Sequence, residues 1–300
     1  MIRSREEKII QLVSHIILTG VTIAIVMPFV LLFISSITEE NTLIRNGYSF
    51  IPEKFSFAAY IYIFNQAGTI FRAYGITIIV TIIGTLINIS ISSMLAYGLS
   101  LRKLPFKRLI SFYVLFTMLF NGGLVPSYLM WTGTFKITNT IWALILPNYM
   151  LSAMNIILIR TYYHSSIPEA LYEAAEIDGA SSFRVFLNIV LPLGKPILIT
   201  MGLFAGLTYW NDWTNGLYYL RGRSGERLYS IQNLLNRMIS QIQFLATNSA
   251  ASSLGEEAAR IPSASVRMAI AFVAMLPVLC IYPFLQKYFQ EGIAMGAVKG

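Results

Sequence analysis

Six long apolar runs separated by short charged segments dominate this sequence. They cover residues 12–37, 73–97, 109–131, 138–160, 196–220 and 267–286. A helix needs about 20 apolar residues to cross the hydrocarbon core of a bilayer. It also satisfies its own backbone hydrogen bonds where no water is present. The runs therefore predict an all-α membrane protein with six transmembrane helices.

The composition excludes several other classes of protein. Of the 300 residues, 56% are hydrophobic and 12% are charged, whereas soluble domains carry about 25% charged residues. Cys280 is the single cysteine, which leaves no internal disulfide and no Cys/His cluster for a metal. The net charge of +8 comes from basic residues placed between the apolar runs. This distribution is typical of membrane topology and not of nucleic-acid binding.

The first run could be confused with a secretory signal peptide, because basic residues precede it. However, the chain is uncharged from Ile9 to Thr38, which is longer than the 7–15 apolar residues of a signal peptide. We therefore expect a retained first span.

The basic residues of the short loops predict the orientation. The 98–108 loop carries Arg102, Lys103, Lys107 and Arg108, whereas the 132–137 loop carries only Lys136. Lys and Arg accumulate on the cytoplasmic side. With six spans, both termini and the 161–195 loop are then cytoplasmic. The 221–266 loop is external despite its five basic residues, since long loops count less in this rule.

The stretch "EAAEIDGASSFRVFLNIVLP" at 173–192 predicts a helix–turn–helix. Pro168 suits the first turn of a helix, and Gly179 can end that helix in a left-handed conformation. Ser181 or Ser182 can cap a second short helix, which Pro192 ends. A small-residue surface of this kind allows another protein to approach closely. The alternative is an ordinary amphipathic connection at the bilayer surface.

The spacing within this stretch resembles the EAA signature of permease subunits of binding-protein-dependent ABC importers. Glu-Ala-Ala is followed after three residues by Gly, after nine more by Ile, and after one more by Leu-Pro. In that family the segment is a coupling helix that seats in a groove of the ATP-hydrolysing subunit. The resemblance implies that Glu173 supplies a polar contact, the alanines close packing and Gly179 the turn. The coupling residues are then Glu173, Ala174, Ala175, Asp178, Gly179, Ile189 and Pro192.

Other motifs resemble the carbohydrate-uptake, maltose-type branch of the family. They are "ITNTIWALILP" at 137–147, "YWNDW" at 209–213 and the tail "GIAMGAVKG". "LFNGGLVPSYLM" at 119–130 is similar to a subgroup associated with polysaccharide or oligosaccharide uptake in Gram-positive bacteria. The resemblance implies a type I ABC importer permease fold, a carbohydrate substrate and a place in the bacterial plasma membrane.

The same resemblance implies the partners and the division of the chain. The partners are a second homologous permease, a dimer of ATPase subunits that hold ATP and Mg, and an external lipoprotein that binds substrate. This chain then carries no cofactor and no catalytic residue. Residues 1–72 form an N-terminal segment, and residues 73–290 form the transporter core with a coupling loop at 164–194 and an external loop at 221–266. Residues 291–300 form a cytoplasmic tail.

Candidate substrate-pathway residues cluster near the end of the fifth run. Asp212 is the only acid within the six runs, and an ionisable group inside a span is a functional candidate. Tyr209, Trp210 and Asn211 precede it and could stack on sugar rings or bond hydroxyl groups. Alternatively, these side chains could bond neighbouring helices or anchor the membrane interface. Weaker candidates are Asn121, Tyr128, Asn148 and Asn155.

Two further segments have a distinct pattern. Gly122, Gly123 and Pro126 predict a break in the third span. In the 221–266 loop, apolar positions at helical spacing predict an amphipathic helix, and residues 246–260 predict a mobile segment. This loop could contact the binding protein or its ligand, or it could simply be flexible. The helical positions are Leu228, Ile231, Leu234, Leu235 and Met238.

Two other functions compete with an importer subunit. A secondary transporter driven by protons or sodium usually needs chains of intramembrane acids or histidines, and here only His15 and Asp212 are available. A membrane-embedded enzyme would need a catalytic constellation that the sequence does not present. Gly194-Lys195 is not a P-loop, because Pro196 replaces its Ser or Thr and no glycine lies five residues before Gly194.

Overall fold

The computed structural model describes residues 5–65, 67–101, 104–248 and 263–297. Within these ranges the chain is helical and contains no β-strand beyond an isolated bridge between Thr38 and Phe55. The helices are α1 Arg5–Ser36, α2 Glu40–Asn46, α3 Ala58–Asn65, α4 Ala67–Ser100, α5 Lys107–Leu119, α6 Leu124–Thr134, α7 Trp142–Ile145, α8 Ala153–Ser166, α9 Glu169–Ile177, α10 Ser182–Leu193, α11 Lys195–Trp210, α12 Thr214–Tyr219, α13 Gly222–Glu226, α14 Ile231–Asn248 and α15 Ser263–Ala297.

Two of these helices are long and apolar enough to cross a membrane by themselves. They are α1, over Lys8–Ser36, and α4, with mean hydropathies of 2.7 and 2.1. Two bent pairs also qualify when each pair is taken as one span: α5 with α6, bent by 111°, and α10 with α11, bent by 80°. The all-α membrane fold is therefore confirmed, and the number of six spans remains a prediction.

The predicted break in the third span is confirmed. Helix α5 ends at Leu119 and α6 begins at Leu124. Gly123 has a φ of 90°, which favours glycine. Its N–H donates to the side-chain oxygen of Asn121 at 2.8 Å, so Asn121 closes the turn between the two helices.

The sequence pattern predicted continuous helices over the fourth and fifth apolar runs, and this prediction is wrong. In the run 138–160, α7 and α8 are separated between Ile145 and Ala153. Pro147 has no N–H to continue a helix, and Asn148 adopts a left-handed φ of 66°. In the run 196–220, α11 ends at Trp210 and α12 begins at Thr214.

The chain divides into two compact units. One unit contains Met1–Ile70 and Leu235–Val278, and a single carboxylate connects two of its helices. Glu40 of α2 accepts hydrogen bonds from the backbone N–H groups of Ala264 and Ser265, at 2.7 and 2.9 Å. It also accepts one from the Ser265 hydroxyl at 2.7 Å. These bonds satisfy donors at the first turn of α15 that the helix itself leaves unpaired.

The other unit contains Phe71–Leu234 and Leu279–Gly300, and polar side chains join its helices. Asn155 of α8 donates to Asn88 of α4 at 3.1 Å, and Asn88 donates to the backbone oxygen of Tyr149 at 2.7 Å. Helices α4 and α11 approach closely at Gly84, where an added Cβ atom would lie 2.5 Å from the Tyr209 ring. Small residues and interhelical hydrogen bonds are the usual basis of packing in membrane bundles.

The predicted amphipathic helix of the 221–266 loop is confirmed from Ile231 onward, whereas Leu228 lies in a turn before the helix and not in it. Helix α14 begins at Ile231, and its residues Ile231, Leu234, Leu235 and Met238 are buried. Most of the predicted mobile segment, residues 249–260, lies outside the described residues. Arg102 and Lys103, which contributed to the predicted orientation, and residues 298–300 of the predicted tail also lie outside them.

Candidate coupling and translocation sites

The segment with the EAA spacing folds as two helices joined by a left-handed glycine. Helix α9 ends at Ile177, and Gly179 has a φ of 71°. The N–H of Ala180 donates to the Ala175 oxygen at 2.9 Å, and that of Gly179 donates to the Glu176 oxygen at 3.2 Å. This pair of hydrogen bonds is the Schellman motif, which satisfies the last carbonyl groups of a helix. The sequence prediction of a glycine-ended helix is confirmed.

The second helix of the segment begins as the sequence predicted. The Ser181 hydroxyl accepts a hydrogen bond from the Arg184 N–H at 3.4 Å and caps α10. Helix α10 widens into a π-helical turn over Phe186–Val190 and continues to Leu193. Ile189 is half-buried in that turn, whereas Pro192 is exposed. At the other end of the segment, α9 begins at Glu169, so that Pro168 lies immediately before the helix and not inside it.

Helix α9 packs on the aromatic side chains of Tyr97 and Phe186, which are called the aromatic floor below. Ala175 is buried in a core cluster that also contains Tyr97 and Phe186. Tyr172 stacks on Tyr97 with the ring centroids 6.5 Å apart, and burial raises the pKa of the Tyr172 phenol. Tyr97 also donates to the backbone oxygen of Ser182 at 3.2 Å. Sequence reasoning missed Tyr97 and Tyr172, because their partners are distant along the chain.

The opposite face of the segment is open. Ala174 and Asp178 are exposed, and the side chains of Ile177 and Phe183 are 85% and 59% exposed. Glu173 is also exposed, and it borders the cavity behind α9 together with Tyr172. The face thus combines acidic groups with large apolar side chains that make little contact within the chain. Behind α9, a cavity of about 490 Å³ is lined by residues of α4, α8, α9 and α10.

Asp212 lies between α11 and α12, where its carboxylate caps the second helix. The oxygen Oδ1 accepts from the backbone N–H groups of Thr214 and Asn215, at 2.9 and 3.3 Å. It also accepts from the Tyr149 hydroxyl at 3.2 Å. Asp212 is only 6% exposed. The structure therefore gives this carboxylate a clear role in fixing the turn after α11.

The two aromatic residues before Asp212 are buried. Tyr209 donates to the backbone oxygen of Ile145 at 2.9 Å. Trp210 packs against Tyr74 with the ring centroids 6.5 Å apart. Asn211 is exposed and donates to the Leu207 oxygen at 2.9 Å. The predicted cluster is thus split, with Tyr209 and Trp210 facing the core and Asn211 facing outward.

A cavity of about 460 Å³ lies beside this turn. Its lining residues come from α11, the turn that follows it, the start of α12 and the segment before α8. They are Tyr149, Phe204, Leu207, Thr208, Asn211, Asp212, Trp213 and Thr214. Trp213 is 43% exposed and is the tryptophan of this cavity. Trp213 belongs to the YWNDW motif, but the sequence analysis did not predict it as a pathway residue. Its position directly after the residues that end α11 could have indicated this role.

The weaker candidates occupy different environments. The Asn148 side chain donates to that of Asn215 at 2.9 Å and connects the turn after α7 to α12. Asn155 is buried in its bond to Asn88 and connects α8 to α4. Asn121 closes the turn before α6, as described above. Tyr128 stacks on Tyr219 with the ring centroids 6.0 Å apart.

Comparison with known proteins identifies the class of this membrane protein. Residues 88–295 match the binding-protein-dependent transport system inner membrane component family. The chain belongs to this family. It is 35% identical to the polygalacturonan/rhamnogalacturonan transport system permease protein YtcP of Bacillus subtilis, over 92% of this chain and 93% of that protein. It is 32% identical to protein LplC of the same organism, over 100% and 98% of the two chains.

A solved structure supports the same assignment. A chain from the crystal structure of a bacterial ABC transporter, involved in the import of the acidic polysaccharide alginate, matches with a TM-score of 0.78 and 27% identity. The match covers 96% of this chain and 99% of that one. Our chain is thus a membrane-spanning permease subunit of an ABC importer, with the type I permease fold, and is not itself catalytic. The family membership excludes the secondary transporter and the membrane enzyme as its function.

Trp213, which lines the cavity, and the buried Trp210, which does not, allow a matched test of the pathway. Trp213→Ala is expected to raise the half-saturating substrate concentration about tenfold with little change in stability, since Trp213 is partly exposed and lines the cavity. Trp210→Ala is expected to destabilise the permease by about 3–5 kcal/mol, because it empties a packed site. Uptake kinetics and thermal unfolding of the purified complex measure the two effects. Equal loss of stability in both variants would contradict the assignment of Trp213 to the pathway.

Proposed function

We propose that this permease forms one half of a translocation pathway for a carbohydrate. Its partners are a second homologous permease, a dimer of ATPase subunits that hold ATP and Mg, and an external lipoprotein that binds the substrate. The exposed face of the segment with the EAA spacing, which carries the large apolar side chains of Ile177 in α9 and Phe183 in α10, is the observation that carries this proposal. A face of this kind suits a protein partner.

We further propose the topology of six spans with both termini in the bacterial cytoplasm. In this arrangement the bent pair of α5 and α6 counts as one span, α11 belongs to the fifth span while α10 stays on the cytoplasmic side, and the apolar part of α15, Ala264–Cys280, belongs to the last. The basic residues of the 98–108 loop support a cytoplasmic position for that loop. The coupling segment then faces the cytoplasm, and the 221–266 loop faces outward.

The coupling mechanism assigns different roles to the two faces of α9. Ala174, Ile177 and Asp178 contact the ATPase, and Glu173 supplies a polar contact to it. Ala175 keeps α9 seated on the aromatic floor, and Gly179 sets the angle between α9 and α10. On the second helix, Ile189 and Pro192 fix α10 against the rest of the permease.

Helices α10 and α11 connect the coupling segment to the cavity. ATP binding closes the ATPase dimer and displaces α9 together with α10. The bend of 80° between α10 and α11 passes this displacement to α11. The 16 residues of α11 span about 24 Å, and the helix ends at the turn that contains Asn211 and Asp212. A movement at the cytoplasmic end of α11 thus changes the shape of the cavity at the other end of this helix.

The substrate is proposed to be a fragment of an acidic polysaccharide. Two of the proteins named above are associated with such polysaccharides: YtcP with polygalacturonan or rhamnogalacturonan, and the solved transporter with alginate. Asn211 and Trp213 on the cavity wall provide an amide and an aromatic ring, which suit the hydroxyl groups and the apolar face of a sugar. The binding protein delivers this substrate to the outer side.

The proposal is tested by purifying the tagged permease from its own membrane and identifying its partners. An ATPase, a second permease and an external binding protein are expected in the purified complex. Uptake of glycan by this complex in vesicles should stop when ATP is removed and persist when ion gradients are dissipated. A permease that purifies alone and transports without ATP would contradict the proposal.

A further inference from the structure

Three exposed arginines lie at the start of the proposed external loop. They are Arg221, Arg223 and Arg227. The rule that places Lys and Arg on the cytoplasmic side counts long loops little, so the topology neither requires nor forbids cations here. A cluster of cations suits a partner or ligand with negative charge.

Arg221 is held more firmly than a solvated surface arginine. Its backbone N–H donates to the Asn139 side chain at 2.6 Å. Its guanidinium lies 5.2 Å from the centroid of the Tyr128 ring and donates a hydrogen bond to the Tyr128 hydroxyl. Tyr128 is itself stacked on the buried Tyr219, with an angle of 9° between the rings. A cation that is fixed over an aromatic ring loses less freedom when a ligand binds.

Asn139 supports this arrangement from the neighbouring segment. It adopts a left-handed φ of 57°, and its backbone N–H donates to the Tyr219 oxygen at 3.1 Å. The side-chain amide donates to the Ser224 hydroxyl at 3.1 Å. Asn139 thus joins the end of α12 to the first turn of α13, on both sides of Arg221.

The positive charge of Arg221 has no acidic partner in the described part of the chain. No carboxylate among residues 5–65, 67–101, 104–248 and 263–297 lies within ion-pair distance of its guanidinium. A guanidinium has five N–H donors in a planar fork that matches the two oxygens of a carboxylate. Arg221 is exposed, so the donors not used by Tyr128 are available to a ligand.

We propose that Arg221, supported by Tyr128, is a binding site for the carboxylate of a uronic acid residue in the glycan. This inference rests on the proposed function and orientation. Helix α12 connects this site to the cavity, because it begins at Thr214, which lines the cavity, and ends at Tyr219. Its six residues span about 9 Å. A chain of uronic acid residues can therefore reach from Arg221 towards the cavity, with Arg223 and Arg227 attracting further carboxylates.

The test compares a short oligogalacturonide with the same oligosaccharide after chemical reduction of its carboxyl groups to alcohols. Uptake of both is measured with the complete importer in vesicles. Arg221→Gln is expected to raise the half-saturating concentration of the oligogalacturonide about tenfold, the effect of one charge-assisted contact. It should leave that of the neutral analogue unchanged. Arg221→Lys should recover part of the loss, since a lysine keeps the charge without the planar fork.

Arg45→Gln is the matched control. Arg45 is an exposed arginine in the last turn of α2, on the same proposed side of the membrane. Its replacement should change the uptake of neither oligosaccharide. Co-purification of all subunits checks that each variant assembles.

Three results would overturn the carboxylate site. If the native importer takes up only the neutral analogue, the proposed carboxylate site is wrong, but the proposed importer function is unaffected. If Arg221→Gln reduces the uptake of both oligosaccharides equally and weakens capture of the binding protein, the arginines dock that protein instead. If the native importer takes up no glycan in the presence of ATP, the proposed function itself fails and the inference falls with it.

Discussion

Replacement of Gly179 by proline is expected to separate the permease from its ATPase and to abolish uptake. Gly179 has a φ of 71°, whereas the proline ring fixes φ near −65°. Proline also removes the N–H that donates to the Glu176 oxygen at 3.2 Å. The Schellman turn would open, and α9 and α10 would no longer present the exposed face at its present angle. The bulk of the permease should still insert, because the change lies in a surface segment.

Gly47→Pro provides a close control for this prediction. Gly47 also ends a short helix with a left-handed φ, here 74°, and its N–H donates to the Leu43 oxygen at 3.1 Å. Proline at Gly47 thus also has an incompatible φ and also removes one hydrogen bond at a helix end, although the turn there is not a Schellman motif and lies outside the coupling segment. Co-purified ATPase and ATP-driven uptake are measured for both variants. Retention of the ATPase by Gly179→Pro, or its equal loss from Gly47→Pro, would contradict the coupling role of the segment.

Replacement of Asp212 by alanine is expected to cause the second large effect. Three hydrogen bonds end on the same oxygen, Oδ1, with donors from Tyr149, Thr214 and Asn215. Alanine leaves these donors without a partner, and each unsatisfied buried group costs about 1–3 kcal/mol. The variant should therefore be destabilised by roughly 3 kcal/mol or more, and the wall of the cavity should lose its shape.

Asp212→Asn separates this structural role from a role of the charge. The amide oxygen of asparagine can accept the same three bonds, so we expect uptake within about a factor of three of that of the native chain. Thermal unfolding and uptake of the purified complex are measured for both variants. An Asp212→Asn variant that is stable but transports nothing would show that the carboxylate itself acts, as it would in a proton relay.

The sequence predicted the all-α membrane class well, because the features that indicate it are either long apolar runs or turns that depend on neighbouring residues. Twenty-residue apolar runs have few alternatives to membrane helices, and the turn at Gly179 depends on residues within one helical turn of it. It did not predict the interruptions of the fourth and fifth runs. Pro147 and Asn148 lie inside an apolar segment, where hydropathy outweighed their known effect on helices.

The candidate pathway was predicted only in part, because adjacent residues can face opposite ways. Asn211 and Asp212 lie on the wall of the cavity, as the residue types suggested. Trp210 faces Tyr74 on another helix, a contact that no local pattern indicates. The end of α11 at Trp210 then turns the chain, so that Trp213 and not Trp210 reaches the cavity.

The proposed coupling depends on a contact between the ATPase and the face of α9 that carries Ile177. A photo-reactive amino acid at position 177, where the native side chain is 85% exposed, tests it most directly in intact membranes. The matched position is Ile44 in α2, which is 68% exposed and is proposed to face outward. We predict that irradiation links position 177 to the ATPase and that position 44 gives no such product. An ATPase product from position 44, with none from position 177, would contradict both the coupling surface and the proposed orientation.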